Sequence, residues 1–166
     1  MSDNIDDDLG SDKPAAKGPH SKLRRAARLA AVQALYQLDV GEETSVSVVG
    51  EFKEHRLGGE PTDEAFFEDI VEGVVRNQAS IDKAVAANLS EKWSLKRIEL
   101  TLRAILRAAT YEIHHRPDVP ALVIIDQYVS ITADFSQGKE PGFINGALDK
   151  IAKDVRKAEF ALVGHG

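Results

Sequence analysis

Residues 98–113 read Ile-Glu-Leu-Thr-Leu-Arg-Ala-Ile-Leu-Arg-Ala-Ala-Thr-Tyr-Glu-Ile, and this stretch carries the clearest fold signal in the chain. Its apolar residues recur every three or four positions, which is the spacing of one face of an amphipathic α-helix. The residues on that face are Ile98, Leu102, Ile105, Ala109 and Ile113. We expect the helix to begin near Ser94 and to end at Arg116, because Pro117 cannot continue it.

The same spacing recurs on both sides of this stretch. The other predicted helices cover about 21–40, 45–57, 62–89, 120–137 and 142–160. Ser21 and Thr62 are expected as N-caps, and Gly41 should end the first of these helices. The helix over 62–89 should break near Ala79 and Ser80.

Residues 121–125 leave two interpretations open. The run Ala-Leu-Val-Ile-Ile has a high β propensity and would suit a short buried strand. Asp126, Ser130 and Asp134 then recur every four positions, which favours a helix that is buried on most sides. Strand runs joined by hairpin turns appear nowhere in the chain. The predicted fold class is therefore all-α.

Length and composition limit the classes of protein to consider. A chain of 166 residues with 43% hydrophobic residues can bury one core, and no run reaches the roughly 20 apolar residues that span a bilayer. The N-terminus lacks the pattern of a signal peptide. There is no cysteine, so disulfides, thiolate ligands and a cysteine nucleophile are excluded. We expect a soluble, cytoplasmic protein.

The first twenty residues differ in composition from the rest. They contain five aspartates and two lysines, a charge of −3 out of the net −6, and few apolar residues. Such a segment cannot bury enough surface to fold. We therefore predict a disordered acidic tail over 1–20, a helical domain over 21–160 and a short tail over 161–166. The acidic tail is either a solubilising segment or a screen for the basic residues that follow it.

A basic cluster stands at the start of the first predicted helix. Residues 21–28 contain four cations and no acid, although the whole protein is acidic. The cations are Lys22, Arg24, Arg25 and Arg28. Positive charge at a helix N-terminus opposes the helix dipole, so local preference does not explain the cluster. The three arginines fall within an arc of about 100° and should form one exposed patch. An anionic partner, first of all a nucleic acid, would explain it.

A second candidate segment opens the last predicted helix. Phe143, Asn145 and Gly146 stand at a helix N-terminus, whose N–H groups can receive a phosphate. Aromatic and amide side chains also suit single-stranded RNA, whose bases stack and form hydrogen bonds along their edges. Two structural explanations compete with this one: Phe143 belongs to the core, and Gly146 allows close helix packing.

The sequence contains no recognisable catalytic constellation. It has no Gly-rich phosphate loop and no pair of histidines spaced to bind a metal on a helix. His114 and His115 adjoin a turn and are interpreted as surface side chains. We therefore expect neither an enzyme nor a bound cofactor or metal.

Three blocks of sequence together resemble one protein family. They lie within 24–37 (Arg-Arg-Ala-Ala-Arg, then Ala-Val-Gln-Ala-Leu-Tyr-Gln), 103–120 (Arg-Ala-Ile-Leu-Arg, Tyr-Glu-Ile and Asp-Val-Pro) and 143–151 (Phe-Ile-Asn-Gly-Ala-Leu-Asp-Lys-Ile). In this order and spacing they resemble the NusB family of bacterial transcription antitermination factors. The resemblance spans about residues 22–155. The chain departs from the family pattern at Leu102, where members usually carry an acid.

The resemblance implies an all-helical bundle of about six or seven helices in two small subdomains. It also implies binding of the boxA element of ribosomal RNA transcripts, together with the small-subunit ribosomal protein NusE, on RNA polymerase. With the basic cluster included, the residues expected to bind RNA are Lys22, Arg24, Arg25, Arg28, Gln33, Phe143, Asn145 and Lys150. Tyr36 is expected to face NusE.

Within the same family, some matching residues are expected to be structural. Tyr111, Leu106 and Leu148 are assigned to the core. Arg107, Glu112 and Asp149 are interpreted as a possible internal network of ion pairs.

Two other functions remain open at this point. One is a helical adaptor that binds only proteins, its arginines pairing with acidic partners. The other is a stand-alone relative of the N-terminal module of ribosomal RNA cytosine methyltransferases, which could not methylate by itself. The sequence is compatible with a monomer or a homodimer.

Overall fold

The computed structural model describes residues 19–57, 59–90 and 94–160, and every regular element within these ranges is helical. In chain order the elements are α1 (Pro19–Val40), α2 (Ser45–Glu51), a π-helical turn (Phe52–Arg56), α3 (Glu64–Arg76), α4 (Gln78–Ala87), α5 (Leu100–His115), α6 (Ala121–Phe135) and α7 (Glu140–Val155). The predicted all-α class is confirmed. The predicted tails, apart from Pro19 and His20, lie outside the described residues. None of the described helices combines the length and the apolar character that crossing a bilayer requires.

Helix α5, which contains most of the stretch that predicted the fold class, is the central element. It packs against α1, α3, α4, α6 and α7. All ten residues from Ala104 to Ile113 are buried, so this part of the helix has no solvent face. The residues assigned to the core, Leu106, Tyr111 and Leu148, are all buried, as predicted.

The helices form two groups around α5. α1, α2, the π-helical turn and α3 pack on one another, and α4 to α7 pack on one another. α1 and α3 join the groups through their contacts with α5. This arrangement agrees with the two small helical subdomains that the family resemblance implies.

Two predicted helix starts are wrong by one or two residues. α1 begins at Pro19, so Ser21 is a buried residue within the helix and not its cap. The arginines therefore lie beyond the first turn, where the opposing effect of the dipole has weakened. Asp63, not Thr62, caps α3, because its carboxylate accepts a hydrogen bond from the N–H of Phe66 (3.0 Å).

Two further boundaries differ from the predictions. The break after α3 falls at Asn77, before the predicted position, and the Asn77 side chain donates to the carbonyl of Gly73 (2.8 Å). α5 begins at Leu100 and not at Ser94, because Glu99 serves as its N-cap and accepts from the N–H of Thr101 (2.9 Å).

Residues 121–125 lie in helix α6, so the competing strand interpretation is wrong. Ile124, Tyr128 and Ile131 are buried on one side of this helix. Asp126 and Asp134 are exposed on the other side, in agreement with their four-residue periodicity. The high β propensity of the run is overridden because both flanks of the helix pack against α5 and α7.

Candidate nucleic-acid interface

Helix α1 divides the basic cluster between two of its sides. At 100° per residue, one set of side chains falls within an arc of about 80° that faces solvent. From the N-terminal end this solvent-facing side carries Lys22, Arg25, Leu29, Gln33, Tyr36 and Val40. Arg24 and Arg28 lie on the side that contains the buried Ala27 and Ala31. Arg24, Arg25 and Arg28 do fall within the predicted arc of about 100°, but only the edge of the arc that carries Arg25 faces solvent.

The prediction that Arg28 belongs to an exposed patch is wrong. Its side chain is 2% exposed and forms a two-pronged ion pair with Glu112, with Nε–Oε2 and Nη2–Oε1 distances of 2.8 Å and 2.9 Å. Burial opposes the charged guanidinium, but the hydrogen bonds and charge of Glu112 outweigh it and raise the pKa of Arg28. The hydroxyl of Tyr128 donates to the same carboxylate at 2.6 Å. Arg28 therefore supports the core, and it offers very little surface to a ligand, although it lines the floor of a small cleft beside Arg24.

Three guanidinium groups lie over the aromatic ring of Phe66 in α3. The Cζ atoms of Arg24, Arg28 and Arg116 lie 4.4 Å, 5.0 Å and 4.9 Å from the ring centroid. Such contacts attract a cation to the face of the ring. Phe66 is buried, so it anchors the inner side of the cluster to α3.

The two partly exposed arginines both have acidic partners. The guanidinium of Arg25 lies 2.6 Å from Asp134 of α6, and that of Arg24 lies 3.6 Å from Asp63 and 4.0 Å from Asp118. No described residue forms an ion pair with Lys22, which is exposed. Acidic residues of the fold therefore neutralise much of the positive charge of Arg24 and Arg25. The sequence had suggested that this charge was available to an external anion.

A groove of about 440 Å³ follows the C-terminal part of the same side of α1. It is largely apolar, and its lining residues are Leu29, Val32, Gln33, Tyr36, Gln37, Val40, Arg56, Thr101 and Phe135. Leu29, Tyr36 and Phe135 are 38%, 40% and 48% exposed, which is unusual for large apolar side chains lying side by side. Gln33 and Tyr36, which were assigned to different partners, thus line one groove. We call it the α1 groove.

A second groove of about 220 Å³ lies where the start of α7 meets the end of α4. Its lining residues are Asn88, Leu89, Ser90, Gly142, Phe143, Gly146, Ala147 and Lys150. Phe143 is half-buried against the core, in agreement with the structural explanation, and it also lines this α7 groove. Its contact with RNA stays a prediction. A Cβ atom on Gly146 would meet no atom within 4 Å in the described structure, which removes helix packing as the reason for this glycine.

Comparison with known proteins identifies the family. The model of the NusB family matches residues 25–153. The chain belongs to the NusB family. It is 47% identical to the transcription antitermination protein NusB of Rhodopseudomonas palustris, over 90% of this chain and 93% of that protein. It is 50% identical to the NusB of Caulobacter vibrioides, over 84% and 98% of the two chains. The solved structure of T. maritima NusB superimposes with a TM-score of 0.71 at 31% identity, over 83% and 96% of the chains.

These relatives carry the name of transcription antitermination proteins and not of enzymes, in agreement with the prediction from the sequence. In the part of the chain that the structure describes, no group of three or more potential ligands could hold a metal ion. Of the two adjacent histidines, His115 is exposed and stacks on Tyr111 at 5.0 Å between ring centroids. His114 is half-buried, so it is only partly the surface side chain that was predicted.

The structure brings together some of the predicted site residues of this NusB-family protein and separates others. Lys22, Arg25, Gln33 and Tyr36 share the solvent-facing side of α1. Phe143 and Lys150 share the α7 groove, whereas Asn145 is exposed but does not line it. The two grooves have no lining residue in common.

The predicted network of Arg107, Glu112 and Asp149 does not exist as one unit. Arg107 pairs with Asp82 at 2.8 Å and with Asp39 at 3.5 Å. Glu112 pairs with Arg28, and Asp149 pairs with Lys153 on its own helix at 3.0 Å. Leu102, where the sequence was expected to depart from the family pattern, is buried.

Sequence reasoning missed several residues that line the grooves. Phe135 and Arg56 reach the α1 groove from α6 and from the π-helical turn, and Asn88 and Ser90 reach the α7 groove from the end of α4. No local pattern marks them, because each belongs to a groove only through tertiary packing. The one signal in the sequence was the position of Leu29, an apolar residue among polar residues on the side of α1 away from the alanines. The sequence predicted a second packed side of α1 there, whereas Leu29 and Tyr36 are exposed.

Proposed function

We propose that this protein is a cytoplasmic transcription antitermination factor that binds the boxA element of ribosomal RNA transcripts, together with NusE, on RNA polymerase. One observation carries the proposal. The solvent-facing side of α1 joins a basic end, at Lys22 and Arg25, to the apolar α1 groove at Leu29 and Tyr36. A protein that holds an anionic strand and a protein partner at once needs both kinds of surface, and here the two adjoin on one helix.

The basic end of α1 attracts RNA but does little to distinguish one base sequence from another. Lys22, Arg24 and Arg25 could each meet a phosphate, and neutralising phosphates releases counterions. Such contacts position a strand without distinguishing its bases. Specificity for boxA must therefore come from side chains that reach base edges or stack on bases.

The α7 groove offers side chains of that kind. Phe143 can stack on a base, and Lys150 in the same groove can meet the phosphate that follows it. Asn88 and Ser90 add hydrogen-bonding groups from the end of α4. Gln33 provides an amide on α1 that can bond to a base edge.

The α1 groove suits a protein surface better than a strand of RNA. Its walls are mainly apolar, and its polar groups are the side chains of Gln33, Gln37, Arg56 and Thr101 and the hydroxyl of Tyr36. Aromatic side chains in a water-excluding groove are typical anchors of protein interfaces. We assign this groove to NusE, with Tyr36 and Phe135 as the anchors.

Fluorescence anisotropy with labelled boxA RNA and a scrambled RNA of equal length tests the proposal. Binding should favour boxA, and NusE should increase that preference. Equal affinity for both RNAs, with and without NusE, would overturn sequence-specific binding. If NusE binds and neither RNA does, the protein is an adaptor for proteins alone.

The methyltransferase alternative has weaker support than antitermination. The chain covers 93% and 98% of two relatives that are named antitermination proteins. A methyl-transfer assay with ribosomal RNA and a methyl donor should therefore give no product.

A further inference from the structure

The ion pair between Arg25 and Asp134 connects the basic end of α1 to the end of α6. The guanidinium Nη2 lies 2.6 Å from the carboxylate Oδ2. The two side chains are 32% and 63% exposed, so solvent and ligands reach both partners. This contact differs from the Arg28–Glu112 pair, which is sealed in the core.

Asp134 stands at a position that its own helix disfavours. It is the last residue but one of α6, which ends at Phe135, and α6 carries no basic residue in its last turn. A carboxylate there faces the negative end of the helix dipole. The stability of α6 therefore does not explain an acidic residue at position 134, whereas the ion pair with Arg25 does. An exposed ion pair contributes little to folding, so the main effect of Asp134 is on the charge of Arg25.

We propose that Asp134 is an intramolecular competitor of RNA: its carboxylate occupies on Arg25 the place that a phosphate takes in the complex. The inference rests on the proposed RNA-binding function. A carboxylate and a phosphate present similar oxygen acceptors to a guanidinium, and both pair with it through charge-assisted hydrogen bonds. Nη2 of Arg25 is therefore available to a phosphate only after RNA displaces Asp134.

The competition acts on affinity and not on sequence preference. Every strand that uses this part of Arg25 must first displace the tethered carboxylate, so its affinity falls by the same factor whatever its sequence. Asp134 therefore weakens the binding of boxA and of non-specific RNA alike. Arg24 is restrained in the same way, but less closely, by Asp63 and Asp118.

The test is a double-mutant cycle on the full chain, measured by RNA anisotropy at fixed salt. Asp134→Asn should raise the affinity for RNA. Removing any acid helps an anion to bind, so Asp126→Asn is the matched control: Asp126 lies on the same helix, is exposed and forms no ion pair with a described residue. Asp134→Asn should raise the affinity for RNA about two- to fivefold more than this control does. That range corresponds to breaking one exposed ion pair.

The excess must depend on Arg25. In the Arg25→Gln background, Asp134→Asn and Asp126→Asn should have equal effects. The inference is overturned if the two aspartate variants already agree with Arg25 present, or if the excess persists without Arg25. It is also overturned if neither wild type nor Asp134→Asn binds any RNA, since there is then nothing to compete.

The same measurements separate this inference from the proposed function. The preference of the wild type for boxA over the scrambled RNA reports on the function. An Arg25-dependent excess on both RNAs, without a preference for boxA, would support the competitor and overturn sequence-specific binding. A clear preference for boxA, with equal effects of Asp134→Asn and Asp126→Asn on affinity, would support sequence-specific binding and overturn the competitor.

Discussion

Arg28 of α1 and Glu112 of α5 are joined in the core by two parallel hydrogen bonds of 2.8 Å and 2.9 Å, although 84 residues separate them in sequence. Tyr128 of α6 adds a third hydrogen bond to the same carboxylate. The side chains of the pair are 2% and 0% exposed. One polar contact therefore ties together three helices, and its members depend on one another because none of them reaches water.

Glu112→Gln should destabilise the protein strongly. The variant leaves the guanidinium of Arg28 buried without a countercharge, and breaking a buried pair in this way costs about 3–5 kcal/mol. Chemical denaturation followed by circular dichroism measures the change in the free energy of unfolding. Replacing the three groups together (Arg28→Met, Glu112→Leu, Tyr128→Phe) should restore part of the loss. A decrease of less than about 1 kcal/mol for Glu112→Gln would contradict a desolvated pair.

Gly73→Ala should also destabilise the protein, for a steric reason. A Cβ atom at this position would lie 2.2 Å from Cε1 and Cζ of the Tyr111 ring, which packs directly on the α3 backbone. Forcing a methyl group into such a contact typically costs about 1–3 kcal/mol. Gly50→Ala is the control, because a Cβ atom there meets nothing within 4 Å. It should leave thermal stability unchanged or raise it, since alanine favours a helix over glycine by about 1 kcal/mol.

Tyr111 should make stability fall at high pH. Burial and the hydrogen bond to Asp69 raise its pKa from 10.0 to about 12. The neutral form is therefore favoured in the folded state, and its contribution is complete below pH 10 and is lost as the pH rises towards 12. Urea unfolding at a series of pH values should show this decline. Tyr111→Phe should make it shallower without removing it, because burial also raises the pKa of Tyr128. Equal slopes for both proteins would contradict the prediction.

The sequence predicted the helices better than their orientation. The periodicity of apolar residues located all the long helices, including α6, where the β propensity of residues 121–125 pointed the other way. The arc shared by Arg24, Arg25 and Arg28 was also right. The direction in which this arc faces was predicted wrongly, because it depends on which side of α1 packs on α3 and α5. The alanines at 27 and 31 allow the closest approach and turn Arg28 inward.

Polar residues inside the fold were the hardest to predict. Arg107 and Glu112 interrupt an apolar stretch of α5, and helix periodicity assigns no partner to either of them. Their partners, Asp82 and Arg28, come from α4 and α1. The grooves were predictable only in part for the same reason: Phe143 and Tyr36 stood out as aromatic residues in matching blocks, whereas Phe135 and Asn88 join them only after folding.

The salt dependence of RNA binding should count the cations that meet phosphates. With Arg28 buried, the available cations are Lys22, Arg24 and Arg25 on α1 and Lys150 in the α7 groove. Four phosphate contacts correspond to a slope of about −2.8 in log affinity against log salt for a single strand. The double variant Lys22→Ala, Arg25→Ala should make the slope shallower by about 1.4. Lys83→Ala, an exposed lysine on α4, is the control and should leave the slope unchanged. An unaltered slope in the double variant would remove this end of α1 from the RNA-binding surface.

Tyr36→Ala and Phe135→Ala should weaken the binding of NusE without unfolding the protein. Both side chains are about half exposed (40% and 48%) and line the α1 groove, so their removal creates no cavity in the core. An aromatic anchor at a protein interface typically contributes about 2 kcal/mol or more, which corresponds to a loss of affinity of about thirtyfold. Leu122→Ala is the matched control, because Leu122 lies on α6 with Phe135, is 58% exposed and does not line the groove. Isothermal titration with purified NusE gives the affinities, and thermal melting checks the fold of each variant. If Leu122→Ala weakens NusE binding as much as Phe135→Ala does, the partner contacts the outer side of α6 and the α1 groove is not its docking site.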